Sequence, residues 1–134
     1  MSYLYDSSAI INLCGEGKTE RLLEGWTLNL AIYELGNAVW KQARIHRRIT
    51  LEEAYLILDT LTEVFRRLRK PEDEAPLRTL EMAVREGLTY YDAAYISAAI
   101  EKGLILVTDD ERLYEVGRRY VKTLKSDELI NGSC

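Results

Sequence analysis

The stretch YLYDSSAII, residues 3–11, places an acid between a short apolar run and two serines. The run at residues 3–5 predicts a first, buried β-strand, and the apolar residues that follow predict a helix to about Cys14. Asp6 therefore falls where a strand meets its first turn, and a carboxylate there is costly unless it has a partner. Asp commonly caps a following helix, so capping and a functional role are both explanations at this point.

The rest of the chain alternates short apolar runs with longer segments of helical periodicity, which is typical of a βαβ layout. The run LILV at residues 104–107 is the clearest buried strand, and further strands are predicted at residues 28–31 and 121–124. Helices are predicted at residues 19–24, 32–47, 50–68, 77–86 and 89–102, and around Tyr114. We expect one helix-rich α/β domain over residues 1–134, with a parallel sheet.

Two helix starts have a recognisable capping pattern. TLEE at residues 50–53 is a capping box, with Thr50 as N-cap and Glu53 as its partner. TYYD at residues 89–92 has the same spacing and makes Thr89 an N-cap. Gly103 lies where a left-handed residue would end the second of these helices.

Composition restricts the chemistry open to this chain. It has 134 residues, 47% of them hydrophobic and 30% charged, which is the balance of a globular domain. It has no apolar run of the roughly 20 residues that cross a bilayer and no signal-peptide pattern at its start. We therefore expect a cytoplasmic protein without a membrane partner. One histidine and two cysteines (Cys14 and Cys134) leave little for a zinc site or a Ser-His-Asp triad, so any catalysis would use carboxylates, hydroxyls or basic side chains.

Acids occur at the leading edges of four predicted elements. They are Asp6, Glu34, Asp92 and the pair Asp109 and Asp110. Each has a structural explanation as a cap or a helix-dipole partner. Because ligands bind at the carboxyl ends of parallel strands, the acids also fit one shared site. Carboxylates without a His or Cys cluster favour a hard divalent ion, Mg²⁺ or Mn²⁺.

Four stretches together resemble the PIN-domain family, and especially its small VapC-like toxins. They are LYDSSAIINL, AIYELGNAVWK, TYYDAAYISAA and LVTDDERL, which contain Asp6, Glu34, Asp92 and Asp110 in that order. The resemblance extends from Tyr3 to about Leu124, so we expect a PIN domain with nothing appended.

The resemblance implies a three-layer α/β/α sandwich with a mostly parallel five-stranded sheet. It implies a metal-dependent endoribonuclease in which Asp6 and Asp92 bind Mg²⁺ or Mn²⁺ directly, while Glu34 and Asp110 bind directly or through water. Thr108 and Asn37 would orient these ligands, and Ser7 would lie at the edge of the pocket. The family's T-x-D pattern favours Asp110 over Asp109, although adjacent acids leave both open.

The resemblance also implies partners: an RNA substrate, a second copy of the chain and an inhibitory antitoxin. The helix at residues 50–68 is a candidate surface for either protein contact. Alternatives are an RNA-processing PIN protein and an inactive PIN domain that binds RNA or protein. Basic stretches such as KQARIHRR (residues 41–48) and RRLRK (residues 66–70) could line the approach to an acidic pocket, or could be ordinary solvated helix faces.

Overall fold

The computed structural model describes residues 2–132, so Met1, Ser133 and Cys134 lie outside it. Its centre is a parallel sheet of strands β1 (Tyr3–Tyr5), β2 (Ile105–Val107) and β3 (Thr123–Leu124), in that spatial order. In the register of β1 and β2, Tyr5 lies opposite Val107. Three of the four strands predicted from sequence, at residues 3–5, 104–107 and 121–124, are therefore present. The last of them is only two residues long.

The expected five-stranded sheet is replaced by three strands and two single-residue bridges in the part of the chain described. Trp26 pairs in parallel with Leu4 on the free side of β1, and Arg69 pairs with Trp26. The strand predicted at residues 28–31 is wrong, because the chain turns there into the next helix. Pro71 lies two residues after Arg69 and has no amide hydrogen to continue a ladder there.

Helices connect and flank these strands. They are α1 (Ser7–Gly15), α2 (Thr19–Leu22), α3 (Ala31–Trp40), a π-helical segment (Lys41–Ile45), α4 (Leu51–Arg67), α5 (Pro76–Glu86), α6 (Tyr90–Lys102), α7 (Glu111–Gly117) and α8 (Ser126–Gly132). The capping predictions are confirmed. Thr50 and Glu53 form the complete capping box of α4, and Thr89 caps α6. Gly103 ends α6 in the left-handed region, with φ of 64°.

Helices cover both faces of the sheet because neighbouring side chains of a strand point in opposite directions. Tyr5 and Val107 belong to a core with α1, α3 and α4, whereas Leu4 and Leu106 belong to a core with α5, α6 and α7. This produces the expected three layers. None of the helices in residues 2–132 is both long and apolar enough to cross a lipid bilayer.

Two parts of the helical layers differ from the sequence prediction. The helix expected over residues 32–47 changes at Lys41 into a π-helical segment, where the amide of His46 donates to the carbonyl of Lys41. Arg47 then ends it with a φ of 52°. Helix α8 was not predicted. It begins at Ser126, whose backbone and hydroxyl both bond to Asp109, a contact distant in sequence.

The two glycines at positions 25 and 36 provide a matched stability test. A Cβ at Gly25 would overlap the ring of the fully buried Tyr5, whereas a Cβ at Gly36, inside α3, would meet open space. We expect Gly25→Ala to lower the free energy of unfolding by about 2 kcal/mol. Gly36→Ala should raise it by about 0.5–1 kcal/mol, because alanine favours the helix. Urea denaturation measures both, and equal effects of the same sign would contradict this packing.

Candidate active site

Asp6 lies at the carboxyl end of β1 and is 4% exposed. Its Oδ1 accepts hydrogen bonds from the Ala9 amide at 2.9 Å and from the Ser8 hydroxyl at 2.7 Å. Its Oδ2 accepts one from the Thr108 hydroxyl. The capping explanation is therefore correct for one oxygen, while the other oxygen reaches across to the residue that follows β2.

Burial raises the pKa of Asp6 to about 7, because the charged form loses water. Hydrogen bonds from Thr108, Ala9 and Ser8 lower this pKa, whereas the nearby charge of Glu34 raises it. The balance leaves a carboxyl group that takes up a proton close to neutral pH.

Thr108 links Asp6 to the start of α7. The residue is fully buried, and its hydroxyl donates to Asp6 while accepting the amide hydrogen of Asp110 at 3.1 Å. Asp110 in turn caps α7, because its Oδ1 accepts from the Leu113 amide at 2.8 Å. The T-x-D spacing therefore has a direct structural role at this edge of the sheet.

The carboxylate of Asp109 is engaged elsewhere. It accepts from the Asn12 side chain at 2.7 Å and from the backbone and hydroxyl of Ser126, at 2.8 and 2.6 Å. Asp109 thus anchors the start of α8 to α1. Asp110, by contrast, is close enough for its charge to raise the pKa of both Glu34 and Asp92.

Glu34 enters the same region from the first turn of α3. Its Oε1 accepts a hydrogen bond from the Tyr95 hydroxyl at 2.7 Å. Burial, and then the charges of Asp92 and Asp110, raise the pKa of Glu34, and hydrogen bonds from Tyr95 and Ser7 partly offset this rise. Ser7 is close enough to Glu34 to affect this pKa, and its place at the edge of the pocket stays a prediction.

Asp92 lies in the first turn of α6 and is half-buried. Its amide donates to the Thr89 hydroxyl at 3.0 Å. Burial and the charge of Asp110 raise the pKa of the Asp92 carboxyl. The side chain is thus near enough to Asp110 and Glu34 to interact with both electrostatically.

The carboxyl groups of Asp6, Glu34, Asp92 and Asp110 act on one another electrostatically, and none of them forms an ion pair among the described residues. The ion pairs among residues 2–132 involve other acids: Glu63, Glu81, Glu86, Glu101 and Glu111. An all-oxygen donor set with uncompensated charge fits a hard divalent cation by its chemistry. In the described part of the chain, however, no three His, Cys, Asp or Glu side chains stand close enough to form a ready-made metal site.

Two polar residues that contact these acids, Ser8 and Tyr95, were not predicted from the sequence as site residues. Ser8 donates to Asp6 and accepts from the Asp109 amide at 2.9 Å, and Tyr95 donates to Glu34. A serine after a strand and an aromatic residue at helical spacing look like turn and core residues, so only their contacts identify them. Asn37 is exposed one helical turn after Glu34, and its role in orienting ligands stays a prediction.

A parallel sheet with helices on both faces, and carboxylates at the carboxyl ends of its strands, defines an α/β/α protein with acids at the usual ligand-binding edge. The family model described as the PIN domain matches residues 3–119. The chain belongs to the PIN-domain family.

Individual relatives agree with the VapC-like resemblance. The chain is 38% identical over 118 residues to exonuclease VapC9 of Pyrobaculum aerophilum, with 84% of each sequence covered. It is 34% identical to ribonuclease VapC3 of the same organism over 86% of this chain and 94% of that protein. A crystal structure of PAE2754, also from Pyrobaculum aerophilum, superposes with a TM-score of 0.80 at 32% identity, covering 98% of this chain and 96% of the other.

The buried carboxyl of Asp6 predicts an unusual pH dependence of stability in EDTA. Its pKa is about 7 in the folded chain and 3.8 without burial, so the folded state binds more protons between these values. The free energy of unfolding should therefore fall as the pH rises through this window. Asp6→Asn keeps a good N-cap but removes the charge. Near pH 4, this substitution should not raise the free energy of unfolding. Above pH 7, it should raise the free energy of unfolding by on the order of 2 kcal/mol.

Urea denaturation of both proteins at several pH values measures this difference. A difference that stays constant with pH, or that shrinks as pH rises, would contradict the buried, charge-coupled position of Asp6.

Proposed function

We propose that this chain is a divalent-metal-dependent endoribonuclease and the toxin of a toxin–antitoxin pair. The observation that carries the proposal is that Thr108 joins Asp6 to Asp110 at the carboxyl ends of β1 and β2, with Glu34 and Asp92 close enough for their charges to act on this pair. Membership of the PIN-domain family and two relatives named as nucleases support the general activity. The proposal goes beyond these relatives in three respects: the metal dependence, the identity of the ion as Mg²⁺ or Mn²⁺, and the toxin role.

When bound, a divalent ion would supply Lewis-acid polarisation of a phosphoryl oxygen and a water of lowered pKa. Asp6 and Asp92 would be its direct ligands, and Glu34 and Asp110 would bind directly or through water. Thr108 and Ser8 hold Asp6 by hydrogen bonds and so fix the direction of its carboxylate. Tyr95 donates to Oε1 of Glu34, and the remaining lone pairs of this carboxylate could hold a water or an ion.

RNA must approach this acidic group despite its own charge. Lys41 lies two helical turns beyond Glu34, and Arg44, Arg47 and Arg48 follow it in the π-helical segment and turn. All four side chains are exposed. Such a group of cations can contact phosphates and so supports a polyanionic substrate.

Exposed apolar side chains support the proposed protein partners, a second copy of the chain and an antitoxin. Helix α4, the contact surface predicted from the sequence, exposes Leu51, Tyr55 and Leu56 by 58%, 64% and 71%. Helix α5 exposes Leu77 and Val84 to a similar or greater degree. An RNA-processing PIN protein and an inactive PIN domain that binds RNA or protein are the alternatives.

Cleavage of a circular single-stranded RNA tests the activity and its mode. A circle has no ends, so an endonuclease cuts it and an exonuclease does not. We expect cleavage with Mn²⁺ or Mg²⁺, none with EDTA, and a loss of at least about 100-fold in Asp6→Asn and Asp92→Asn. Cutting of linear but not circular RNA would indicate an exonuclease, the activity for which the VapC9 relative is named. If neither RNA is cut, the inactive PIN domain becomes the favoured alternative.

The adjacent acids Asp109 and Asp110 provide a matched control in the same assay. Asp110→Asn keeps the α7 cap, because asparagine caps well, so the protein should fold and lose cleavage. Asp109→Asn sets an amide against the Asn12 and Ser126 donors, so it should lower the melting temperature yet retain metal-dependent cleavage in the folded state. The reverse pattern would assign the fourth acid to Asp109.

The toxin role has its own test, in cytoplasmic expression. Wild-type protein should arrest growth of the host, whereas Asp6→Asn should not. Co-expression of a small protein encoded next to this chain should restore growth and co-purify with it. Normal growth with an active, soluble nuclease would favour the RNA-processing alternative.

A further inference from the structure

We propose that Tyr95 is a positioning residue, which holds the Glu34 carboxylate in the orientation that faces Asp92 and Asp110. The inference rests on the proposed function, because it assigns Tyr95 a role in forming the cation site from these acids. Its basis is the 2.7 Å hydrogen bond from the Tyr95 hydroxyl to Oε1 of Glu34.

The position of the Tyr95 hydroxyl is fixed by the core. Tyr95 is 1% exposed and lies in α6, one turn after Asp92. It belongs to the same buried cluster as Ala93, Ile96 and Ala99 of that helix. A ring held by close packing has few alternative rotamers, so its hydroxyl is a fixed donor. The helix that carries Asp92 therefore also carries the group that holds Glu34.

Glu34 needs such a donor more than Asp6 and Asp110 do. Asp6 and Asp110 have short side chains, and each accepts a hydrogen bond from a backbone amide of the helix that it caps. Glu34 has one more rotatable bond and lies inside the first turn of α3, where it caps nothing. Fixing a long side chain costs conformational entropy, and a pre-placed donor reduces the number of rotamers left to select.

The hydrogen bond also joins the two helical layers. Tyr95 packs in the core that contains Leu4, whereas Leu35, the neighbour of Glu34, packs in the core that contains Tyr5. The bond thus crosses from one layer to the other at the edge of the sheet where Asp6 lies. The Thr27 hydroxyl donates to the Tyr5 carbonyl at 2.7 Å. Its hydrogen is therefore not available to Glu34, and the Tyr95 hydroxyl is the donor that holds this carboxylate.

Mn²⁺ binding without RNA tests this role, with Tyr5→Phe as the matched control for Tyr95→Phe. Tyr5 is equally buried, but its hydroxyl donates to the backbone carbonyl of Arg21 at 2.9 Å. Titration calorimetry should show Mn²⁺ affinity about tenfold weaker in Tyr95→Phe, as is usual when a residue that orients a ligand is removed. Tyr5→Phe should bind within about twofold of wild type.

A Glu34→Gln background separates positioning from general stability. If Tyr95 acts through Glu34, adding Tyr95→Phe to Glu34→Gln should not weaken Mn²⁺ binding further. In the cleavage assay, kcat should fall in Tyr95→Phe while KM for RNA stays unchanged, because a residue this buried does not touch RNA.

The inference would be overturned by unchanged Mn²⁺ affinity in Tyr95→Phe, by an equal loss in Tyr5→Phe, or by an undiminished loss in the Glu34→Gln background. A Tyr95→Phe chain that does not fold would assign the hydroxyl to stability and would overturn it too. Wild-type protein that binds no Mn²⁺ would instead reject the proposed metal-dependent function, and with it the inference. The wild-type titration therefore distinguishes the two failures.

Discussion

The parallel register of the two central strands is the constraint on which the site depends. With Tyr5 opposite Val107, the residues that follow them, Asp6 and Thr108, leave the sheet side by side. Their hydrogen bond closes the gap between the strands, and the Thr108 hydroxyl then fixes the start of α7 through the Asp110 amide. A shift of one residue would turn the side chains of β1 or β2 to the opposite core, so burial of both faces protects this alignment.

The arrangement has a cost, because the same geometry that gathers the acids forces like charges together in a partly dry environment. Burial is the largest cause of the raised pKa in Asp6, Glu34 and Asp92, and the neighbouring carboxylates add to it. Within residues 2–132, no lysine or arginine forms an ion pair with these three acids, although several ion pairs form elsewhere on the surface. Acids held close together in this way lower the stability of the fold, a cost that is typical of functional sites.

Local features of the sequence predicted the fold well, and features that depend on distant contacts were missed. The caps at Thr50 and Thr89 and the strand of residues 105–107 could be predicted because neighbouring residues determine them. The pairing at Trp26 and the anchoring of α8 by Asp109 depend on residues far away in the chain. The same distinction holds in the site. The acids have a recognisable order, whereas the donors that hold them are ordinary serine, threonine and tyrosine residues.

The hydrogen bonds at Asp6 also limit how this side chain could hold an ion. An ionised carboxylate offers about four lone pairs, and the Ala9 amide and Ser8 hydroxyl occupy those of Oδ1, while Thr108 takes one on Oδ2. One lone pair is left. Asp6 would therefore bind an ion through Oδ2 alone, as a monodentate ligand. The turn after β1 would then restrict how an ion is coordinated, before any other acid is involved.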